Sequence, residues 1–355
     1  MRRGLISRSL VELPDAALDA RIGRTRAAMA AAGLDALLVY TNNTRPAAVS
    51  WLTGFVPYWS EAMLVVQRTG APVLVVALTF RVKPWIERTS HVGEVIHTPR
   101  IGIEAARLVA ASRADAAVGV VDLDHLSAGI ADDLKEAGPR LNFSDAGEMF
   151  AALRAKFDPA EIMLAVRAAS IADRALSAVS SGDVAPGVNL GAILGAVEGE
   201  ARRLGAEEVY VAAAPDLARD TKFVRMEGEP AAGARFAIRA SVAYKGSWVR
   251  CVRTVDPKGT ARAEVATTLF AAAVAQLPDG CGFSSFSSFL VEGCRIGQPL
   301  EPLMGSRIAA PRTPAGVVSV QTCVVVDGLP VLLGAPALVG APGEAASVLP
   351  ADPAP

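Results

Sequence analysis

Two arginines lie in a stretch whose pattern predicts a pair of strands joined by a tight turn. Arg239 and Arg250 fall on the two arms of the predicted hairpin Phe236–Val255. With the turn centred between Tyr244 and Lys245, the two arginines lie directly opposite each other, and like charges in that arrangement destabilise a sheet. A partly buried guanidinium cannot shed its proton, so the pair needs an anionic partner. We therefore expect an internal carboxylate or a bound carboxylate or phosphate ligand beside them.

Three carboxylates are candidates for the anionic partner of the arginines. Glu292 and Glu301 lie further along the same chain, and Glu61 could be supplied by a partner subunit. An internal ion pair would be expensive to break, because removing one member leaves the other charge buried and unpaired. A bound ligand would instead be lost without unfolding the protein.

Two further side chains could carry covalent or acid–base chemistry. Cys294 is a possible nucleophile if a base, or the adjacent Arg295, lowers its pKa. Lys222 is a possible base or Schiff-base former if it is desolvated. The alternatives are a structural thiol and a surface or ion-paired lysine. The three histidines all precede the C-terminal half, at positions 91, 97 and 125.

The composition limits the classes of function. The chain has 355 residues, a net charge of −1 and a mean hydropathy of +0.35. A near-neutral charge with no basic stripe argues against nucleic acid as a partner. No uninterrupted apolar run is long enough for a membrane span, and the first residues lack the apolar core of a signal peptide. We expect a soluble, cytoplasmic protein with four reduced cysteines.

The elements that would position these residues divide into two domains. Residues 1–146 alternate helical and strand patterns, from a helix beginning at Pro14-Asp15 and a buried strand Ala36–Tyr40 to a hairpin of Ala62–Val66 with Val73–Ala77. Residues 147–345 begin with a long helical pattern that Asp158-Pro159 interrupts, and strands dominate afterwards. Residues 346–355 are predicted to be a disordered tail.

Several ordered motifs together resemble one family. In the first half they are the cluster around Gly33-Leu34-Asp35 and the segment Trp51-Leu52-Thr53-Gly54-Phe55, which is similar to the family's YLTGF. In the second half, the first motif comprises Lys156, Glu161, Arg167 and Asp173, and Pro186-Gly187 follows it. The last motif is a hairpin similar to the family's DxGxxxxGYxxDxxRT; it ends Gly246-Ser247-Trp248-Val249-Arg250-Cys251-Val252-Arg253-Thr254. The chain resembles the creatinase, prolidase and aminopeptidase P family over nearly its whole length.

The resemblance implies an α+β protein, with a creatinase-like N-terminal α/β domain followed by a pita-bread C-terminal domain. It also implies five ligands for a pair of divalent metals: two Asp, one His and two Glu. In this chain those positions carry Arg239, Arg250, Cys294, Gln321 and Gly334. We therefore expect no metal and no other cofactor. A metal-free creatinase mechanism does not carry over either, because Lys222 stands where the resemblance places its histidine.

Three functions remain open. The first is a non-catalytic or partner-dependent subunit, for which the family offers precedents among histone chaperones and growth regulators. The second is a metal-independent hydrolase or lyase acting on a C–N bond of a small acidic amide, a dipeptide-like compound or a guanidino compound. The third is a small-anion binding protein. Candidate ligand contacts in the cavity are Arg239, Arg250, Arg295, Gln321 and Glu301.

The expected partner is a second copy of the chain or a related family member. The resemblance implies dimers in which the N-terminal domain covers the partner subunit's cavity. Tyr58, Trp59 and Glu61 follow the Thr53-Gly54-Phe55 turn and are the candidate contacts with that cavity. Ordinary interface packing is the alternative role for these three residues.

Overall fold

The computed structural model describes residues 8–57, 59–179, 187–282, 286–295, 298–306, 309–310, 313, 315–341 and 343–349. For residues 281–282, 294–295, 298–306 and 309–310 it describes the backbone alone. The chain divides into two compact units, residues 1–160 and 161–355.

The N-terminal unit alternates helices and strands, as its sequence pattern predicts. Its helices are α1 (Asp15–Ala31), α2 (Ala47–Thr53), α3 (Lys83–Thr89), α4 (Ile101–Ser112), α5 (Ala128–Ala137) and α6 (Gly147–Arg154). Its strands are β1 (Ala36–Thr41), β2 (Ala62–Gln67), β3 (Val73–Val76), β4 (Glu94–His97), β5 (Ala117–Val121) and β6 (Asn142–Asp145). Short 3₁₀ turns lie at Phe80–Val82 and Leu123–His125.

These strands form one mixed sheet in the order β4-β3-β2-β1-β5-β6. The predicted hairpin is confirmed, since β2 and β3 pair antiparallel with Val65 opposite Val73. β1 is buried along its whole length, in keeping with its continuous apolar sequence. α4 and α5 pack over the sheet through a shared core that includes Ile101 and Val109.

A buried ion pair joins α1 to the last residues of this unit. Arg21 of α1 donates from Nε and Nη2 to the two carboxylate oxygens of Asp158, at 2.6 and 2.9 Å, and from Nη1 to the carbonyl of Trp51 at 2.8 Å. Phe150 of α6 packs edge-on against the Trp51 ring. These contacts keep α6 and Asp158 in the N-terminal unit, so the boundary lies at Ala160 rather than at the predicted position 146.

The C-terminal unit is dominated by strands. Its helices are α7 (Pro159–Ser177), which begins just before the boundary, α8 (Leu190–Arg203) and α9 (Thr260–Ala275). Its strands are β7 (Glu208–Ala214), β8 (Phe236–Tyr244), β9 (Ser247–Val255), β10 (Cys281–Gly282), β11 (Phe286–Arg295), β12 (Gln298–Ser306), β13 (Ala309–Ala310), β14 (Gly316–Val326), β15 (Leu329–Val339) and β16 (Ser347–Val348). α6 and α7 flank Asp158-Pro159, where the sequence predicts a break.

The main sheet of this unit is antiparallel, in the order β12-β11-β14-β15-β9-β8-β7, with β16 added beside β15. β14 and β15 pair along their full lengths, whereas β15 meets β9 at only two positions, Leu333 with Arg253 and Gly334 with Val252. Beyond this seam β9 comes close to β11, β12 and β14, which lie on the far side of β15 in the strand order. The sheet is therefore strongly curled, as in a pita-bread domain.

Two features of the C-terminal unit differ from the sequence-based expectation. Residues 346–349 are not a disordered tail, because β16 pairs with Ala337 and Leu338 of β15 and Ala346 and Leu349 are buried. The β11–β12 pair was not predicted, since its Gly, Pro and Ser residues break any strand alternation. β11 forms a strand because it pairs with β14, although its own residues have low strand propensity. No helix in the described part of the chain has the length and apolar character required to cross a bilayer.

A half-buried glutamate supports the β8–β9 turn. The backbone N–H of Gly246 donates to the Glu207 carboxylate at 3.0 Å. Burial raises the pKa of Glu207 to about 7, although this hydrogen bond and the charge of Lys245 lower it in part. The folded chain therefore holds a proton on Glu207 over a pH range in which an unfolded glutamate is ionised.

We predict that Glu207 makes the protein less stable as the pH rises from 4.5 to about 7. Between its unfolded pKa of 4.5 and its folded pKa of about 7, the folded state binds the proton more tightly, so the free energy of unfolding falls across this window. The difference reaches about 3 kcal/mol. Glu207→Gln should match the wild type near pH 4.5 and exceed its stability at pH 8 in urea titrations.

Glu264→Gln, on the exposed face of α9, is the control, and it should leave the pH dependence of unfolding unchanged. Parallel stability–pH curves for the wild type and Glu207→Gln would contradict the assignment.

Candidate functional site

A row of directly paired residues crosses the curled sheet. Ala212 pairs with Arg239, Arg239 with Val252, Val252 with Gly334, and Gly334 with Gln321. Paired residues share a face of the sheet, so three of the five positions that the resemblance equates with metal ligands lie on one face. Arg250, two residues before Val252, lies on the same face.

The hairpin register differs from the predicted one. Lys245 and Gly246 both have positive φ, 48° and 78°, as the two central residues of a type I′ turn require. The turn is therefore centred on Lys245-Gly246, and Ser241 rather than Arg239 lies opposite Arg250. The two arginines are diagonal neighbours, and the predicted direct opposition of like charges is wrong. The prediction centred the turn on Tyr244-Lys245. The second central position of a type I′ turn favours glycine, and this preference places Gly246 there instead.

Arg250 forms an ion pair inside the C-terminal unit. Its Nη1 contacts both carboxylate oxygens of Glu292 on β11, and both side chains are largely buried. Gln321 on β14 donates from Nε2 to the same carboxylate at 2.6 Å. Glu292 is thus the anionic partner that the sequence requires for Arg250. Within one chain, Glu61 lies in the N-terminal unit and accepts a hydrogen bond from Tyr40 at 3.1 Å, so a contact from a partner subunit's Glu61 stays a prediction.

Two serines that the sequence reasoning missed hold Arg250 in place. The Ser241 hydroxyl accepts from Arg250 Nε at 2.9 Å, and the Ser319 hydroxyl accepts from the Arg250 backbone N–H at 2.9 Å. Both serines are buried. The alternation of side chains along a strand could have identified them. Ser241 lies two residues after Arg239, and Ser319 lies two residues before Gln321, so each shares a sheet face with its neighbour.

Arg239 is in a different electrostatic situation. Across the residues that the structure describes, no carboxylate lies within ion-pair distance of it. Its guanidinium lies over the Phe223 ring, 4.8 Å from the centroid. Burial lowers the pKa of Arg239, the charge of Arg250 lowers it further, and Glu292 offsets part of the decrease. It remains a desolvated cation at neutral pH.

Arg239, Ser241 and Arg250 line a cavity of about 570 Å³ in the C-terminal unit. Its other walls come from α8, from the edge strand β7 and from the segment that carries Met226. Tyr210 of β7 stacks on Trp248 of β9 beside it, with ring centroids 5.4 Å apart and planes 7° apart. The cavity combines cationic donors with an aromatic wall, which suits recognition of an anion better than proton transfer.

Gly334 is tightly enclosed. A Cβ at this position would lie 2.9 Å from Cγ2 of Val252 and 2.9 Å from the carbonyl oxygen of Val320. One of these atoms belongs to the backbone and cannot move away cheaply. The position that the resemblance equates with the second Glu therefore has no room for a side chain.

The structure describes only some of the remaining predicted site residues in full. Lys222 is exposed, and its backbone N–H donates to Asp220. Cys294 and Arg295 lie on β11 and Glu301 on β12, where the structure describes the backbone alone. Trp59 is 63% exposed on the N-terminal unit. Tyr58 lies outside the described residues.

Residues 21–156 match the family model of the creatinase/prolidase N-terminal domain. The N-terminal unit is a creatinase/prolidase N-terminal domain. The match spans its sheet and ends just before Asp158, the buried partner of Arg21. No curated protein sequence matches the chain significantly.

Solved structures extend the likeness in fold to nearly the whole length of this chain. The X-Pro aminopeptidase of Thermotoga maritima MSB8 has a TM-score of 0.67 at 14% identity, over 94% of this chain and 98% of that one. The Xaa-Pro dipeptidase of Bacillus anthracis has a TM-score of 0.67 at 18% identity, over 95% and 98%. The N-terminal domain of the FACT complex subunit SPT16 from chickpea, Cicer arietinum, has a TM-score of 0.57 at 14% identity, over 94% and 97%. The chain therefore has the two-domain fold with a pita-bread C-terminal domain.

The described side chains contain no cluster of metal ligands. Divalent metals in such sites are held by carboxylate and imidazole ligands. Among the described side chains, no three His, Cys, Asp or Glu residues come together in a group that could hold a metal ion. Guanidiniums cannot ligate a metal, and the carboxylate of Glu292 is engaged by Arg250 and Gln321.

We predict that Arg250→Ala lowers the free energy of unfolding by about 3–5 kcal/mol, because it leaves Glu292 buried without its cation. Urea denaturation at pH 7 measures the loss. The double variant R250M/E292L removes both charges and should recover at least half of it. Arg203→Ala is the control, since it breaks the exposed Arg203–Glu200 pair and should leave stability at the wild-type value. Equal effects of Arg250→Ala and Arg203→Ala would refute the buried-pair interpretation.

Proposed function

We propose that the chain is a creatinase/prolidase-type protein without a dinuclear metal centre, acting as a non-catalytic or partner-dependent subunit of an oligomer. The observation that carries the proposal is the Arg250–Glu292–Gln321 network. It spans two of the positions that the resemblance equates with metal ligands. A cation and an amide there engage the nearby carboxylate, so a fixed positive charge replaces the charge that metal ions would supply.

Two further observations support this proposal. Arg239 presents a second guanidinium to the same face, and Gly334 has no space for a ligating side chain. Restoring one ligand by substitution would therefore leave the others unsuitable. The residues present do not fit a pair of divalent metals.

The geometry also gives little support to metal-free chemistry. General acid–base catalysis needs a group held within reach of the substrate with a suitable pKa. Lys222 is exposed, and the network around Arg250 holds its members in hydrogen bonds rather than offering a free base. Arginine is a poor proton donor at neutral pH because it does not titrate there.

We predict that the purified chain, after incubation with Mn²⁺, Co²⁺ or Zn²⁺ and removal of free metal, retains far less than one metal ion per chain. Elemental analysis measures the content. Xaa-Pro dipeptides should not be hydrolysed, whereas the Xaa-Pro dipeptidase of Bacillus anthracis, prepared in parallel, serves as the positive control for the assay.

About two metal ions per chain, as two-metal hydrolases carry, would overturn the proposal if variants of the cavity released them. Turnover of an amide, dipeptide or guanidino compound that chelators do not affect would instead support the metal-independent hydrolase or lyase.

The proposed partner is a second copy of the chain or a related family member. The observation is an exposed aromatic on the N-terminal unit, Trp59, close in sequence to the Gly54-Phe55 turn. A large exposed aromatic is typical of protein interfaces. One structural neighbour is itself described as a subunit of a complex, so the fold is compatible with such a role.

We predict that the chain sediments as a dimer or larger species at micromolar concentration. Trp59→Ala should weaken the association at least about tenfold, as loss of an interface anchor does. Val265→Ala, an exposed apolar residue on α9, is the control and should leave it unchanged. A clean monomer would count against a homo-oligomer, and a pull-down from the native host would then test for a related partner.

A further inference from the structure

The floor of the 570 Å³ cavity presents two hydrogen-bond donors without acceptors in the described part of the chain. Arg239 contacts the Phe223 ring but forms no ion pair there. Ser241 is buried and accepts a hydrogen bond from Arg250, which leaves its own hydroxyl proton to donate. A buried hydroxyl proton such as that of Ser241 is costly unless an acceptor satisfies it, whereas the half-buried Arg239 is a charged donor at the cavity surface.

The charges around the cavity leave this donor pair positively charged. Glu292 is engaged by Arg250 and Gln321, so it neutralises one of the two guanidiniums. Glu198, the acidic residue of the cavity wall, forms an ion pair with Arg202 at 2.9 Å. Arg239 is therefore a partly buried cation that forms no ion pair with a carboxylate of the described chain, and the charge of Glu292 offsets its own only in part. An anion entering the cavity would meet a preorganised charge and donor.

The wall next to these donors is apolar and flat. The Tyr210 and Trp248 rings stack in parallel with a lateral offset, and Met226 and Leu194 line the same cavity. Stacked aromatics provide a planar surface against which a flat apolar group can pack. Cavities that bind small molecules combine such a surface with a few polar groups that fix orientation.

We propose that this cavity binds a small organic carboxylate carrying a flat apolar group, with the carboxylate on Arg239 and Ser241 and the apolar group near Tyr210 and Trp248. The inference rests on the proposed function, because a cavity without metal ions leaves Arg239 as the group that recognises the ligand. Arg225, which also lines the cavity and is exposed, is placed to attract the same anion.

Benzoate is the probe that tests the proposal, with acetate and inorganic phosphate as comparisons. Isothermal titration calorimetry on the full chain at low ionic strength should give saturable binding of one benzoate per chain. Acetate should bind at least about tenfold more weakly, because it lacks the apolar group. Phosphate should also bind more weakly than benzoate, since the aromatic wall offers it no partner.

Three variants separate the contributions. Arg239→Gln should weaken benzoate binding at least about tenfold while the thermal midpoint stays at or above the wild-type value, because a desolvated cation is removed. Tyr210→Ala keeps the cation and should reduce the preference for benzoate over acetate. Arg203→Gln, on the exposed part of α8, is the matched arginine control and should bind like the wild type.

The outcomes discriminate between the possibilities. Benzoate binding that is lost in Arg239→Gln and kept in Arg203→Gln supports the site. No saturable binding by the wild type, unchanged binding by Arg239→Gln, or tighter binding of phosphate than of benzoate would overturn it. Elemental analysis of the same samples keeps the two proposals apart: a metal-free chain that binds no benzoate refutes the site alone, whereas a metal-loaded cavity refutes the proposed function.

Discussion

The C-terminal unit depends on one buried ion pair between strands that are not neighbours in the sheet. Arg250 belongs to β9 and Glu292 to β11, and both β14 and β15 lie between them in the strand order. The two residues meet only because the sheet curls after the short β15–β9 seam. A largely buried guanidinium and a buried carboxylate each carry a large desolvation cost, which is offset only when both are present and hydrogen-bonded. The pair therefore ties the curvature of the sheet to the presence of both charges.

The hydrogen bonds around the pair complete it. Ser319 caps the Arg250 backbone N–H and Ser241 accepts from its Nε. Gln321 donates to the carboxylate, as an amide can but a second carboxylate could not. Arg250, Glu292 and Gln321 thus each have a hydrogen-bond partner within the sheet. The polar residues of this face act as a connected unit, and exchanging any one alone leaves another unsatisfied.

Arg239 shows that the same face is not fully balanced. It shares the row with Val252, Gly334 and Gln321, yet its guanidinium packs on Phe223 instead of a carboxylate. A protein selected for stability alone would gain from an uncharged residue at this position. A cation kept in a cavity at the expense of stability is typical of a site that meets an anion. This contrast separates the two arginines, one structural and one available to a ligand.

The N-terminal elements could be predicted because their signals are local. Apolar runs predict β1, β2 and β3, and the break at Asp158-Pro159 predicts the division between α6 and α7. The β11–β12 pair could not be predicted, since its residues have weak strand propensity; β11 becomes a strand through pairing with β14, and β12 through pairing with β11. The predicted hairpin register was wrong by two residues. The sequence contains the signal for the correct register, because Gly246 is the residue that best accommodates the positive φ of the second turn position.

The sequence by itself determined that two guanidiniums, a thiol, an amide and a glycine stand at five spaced positions, and that Arg250 needs an acidic partner. Residue types and spacings are properties of the chain, and the cost of a buried charge holds in any fold. Only the tertiary structure decided that Glu292 is that partner and that Arg239 lacks one among the described residues. Those outcomes depend on which strands the curled sheet brings together, and contacts across 42 residues of chain leave no local pattern. The tertiary structure also determined the crowding of Gly334 by Val252, because these residues belong to β15 and β9, which are distant in sequence and meet at the seam of the sheet.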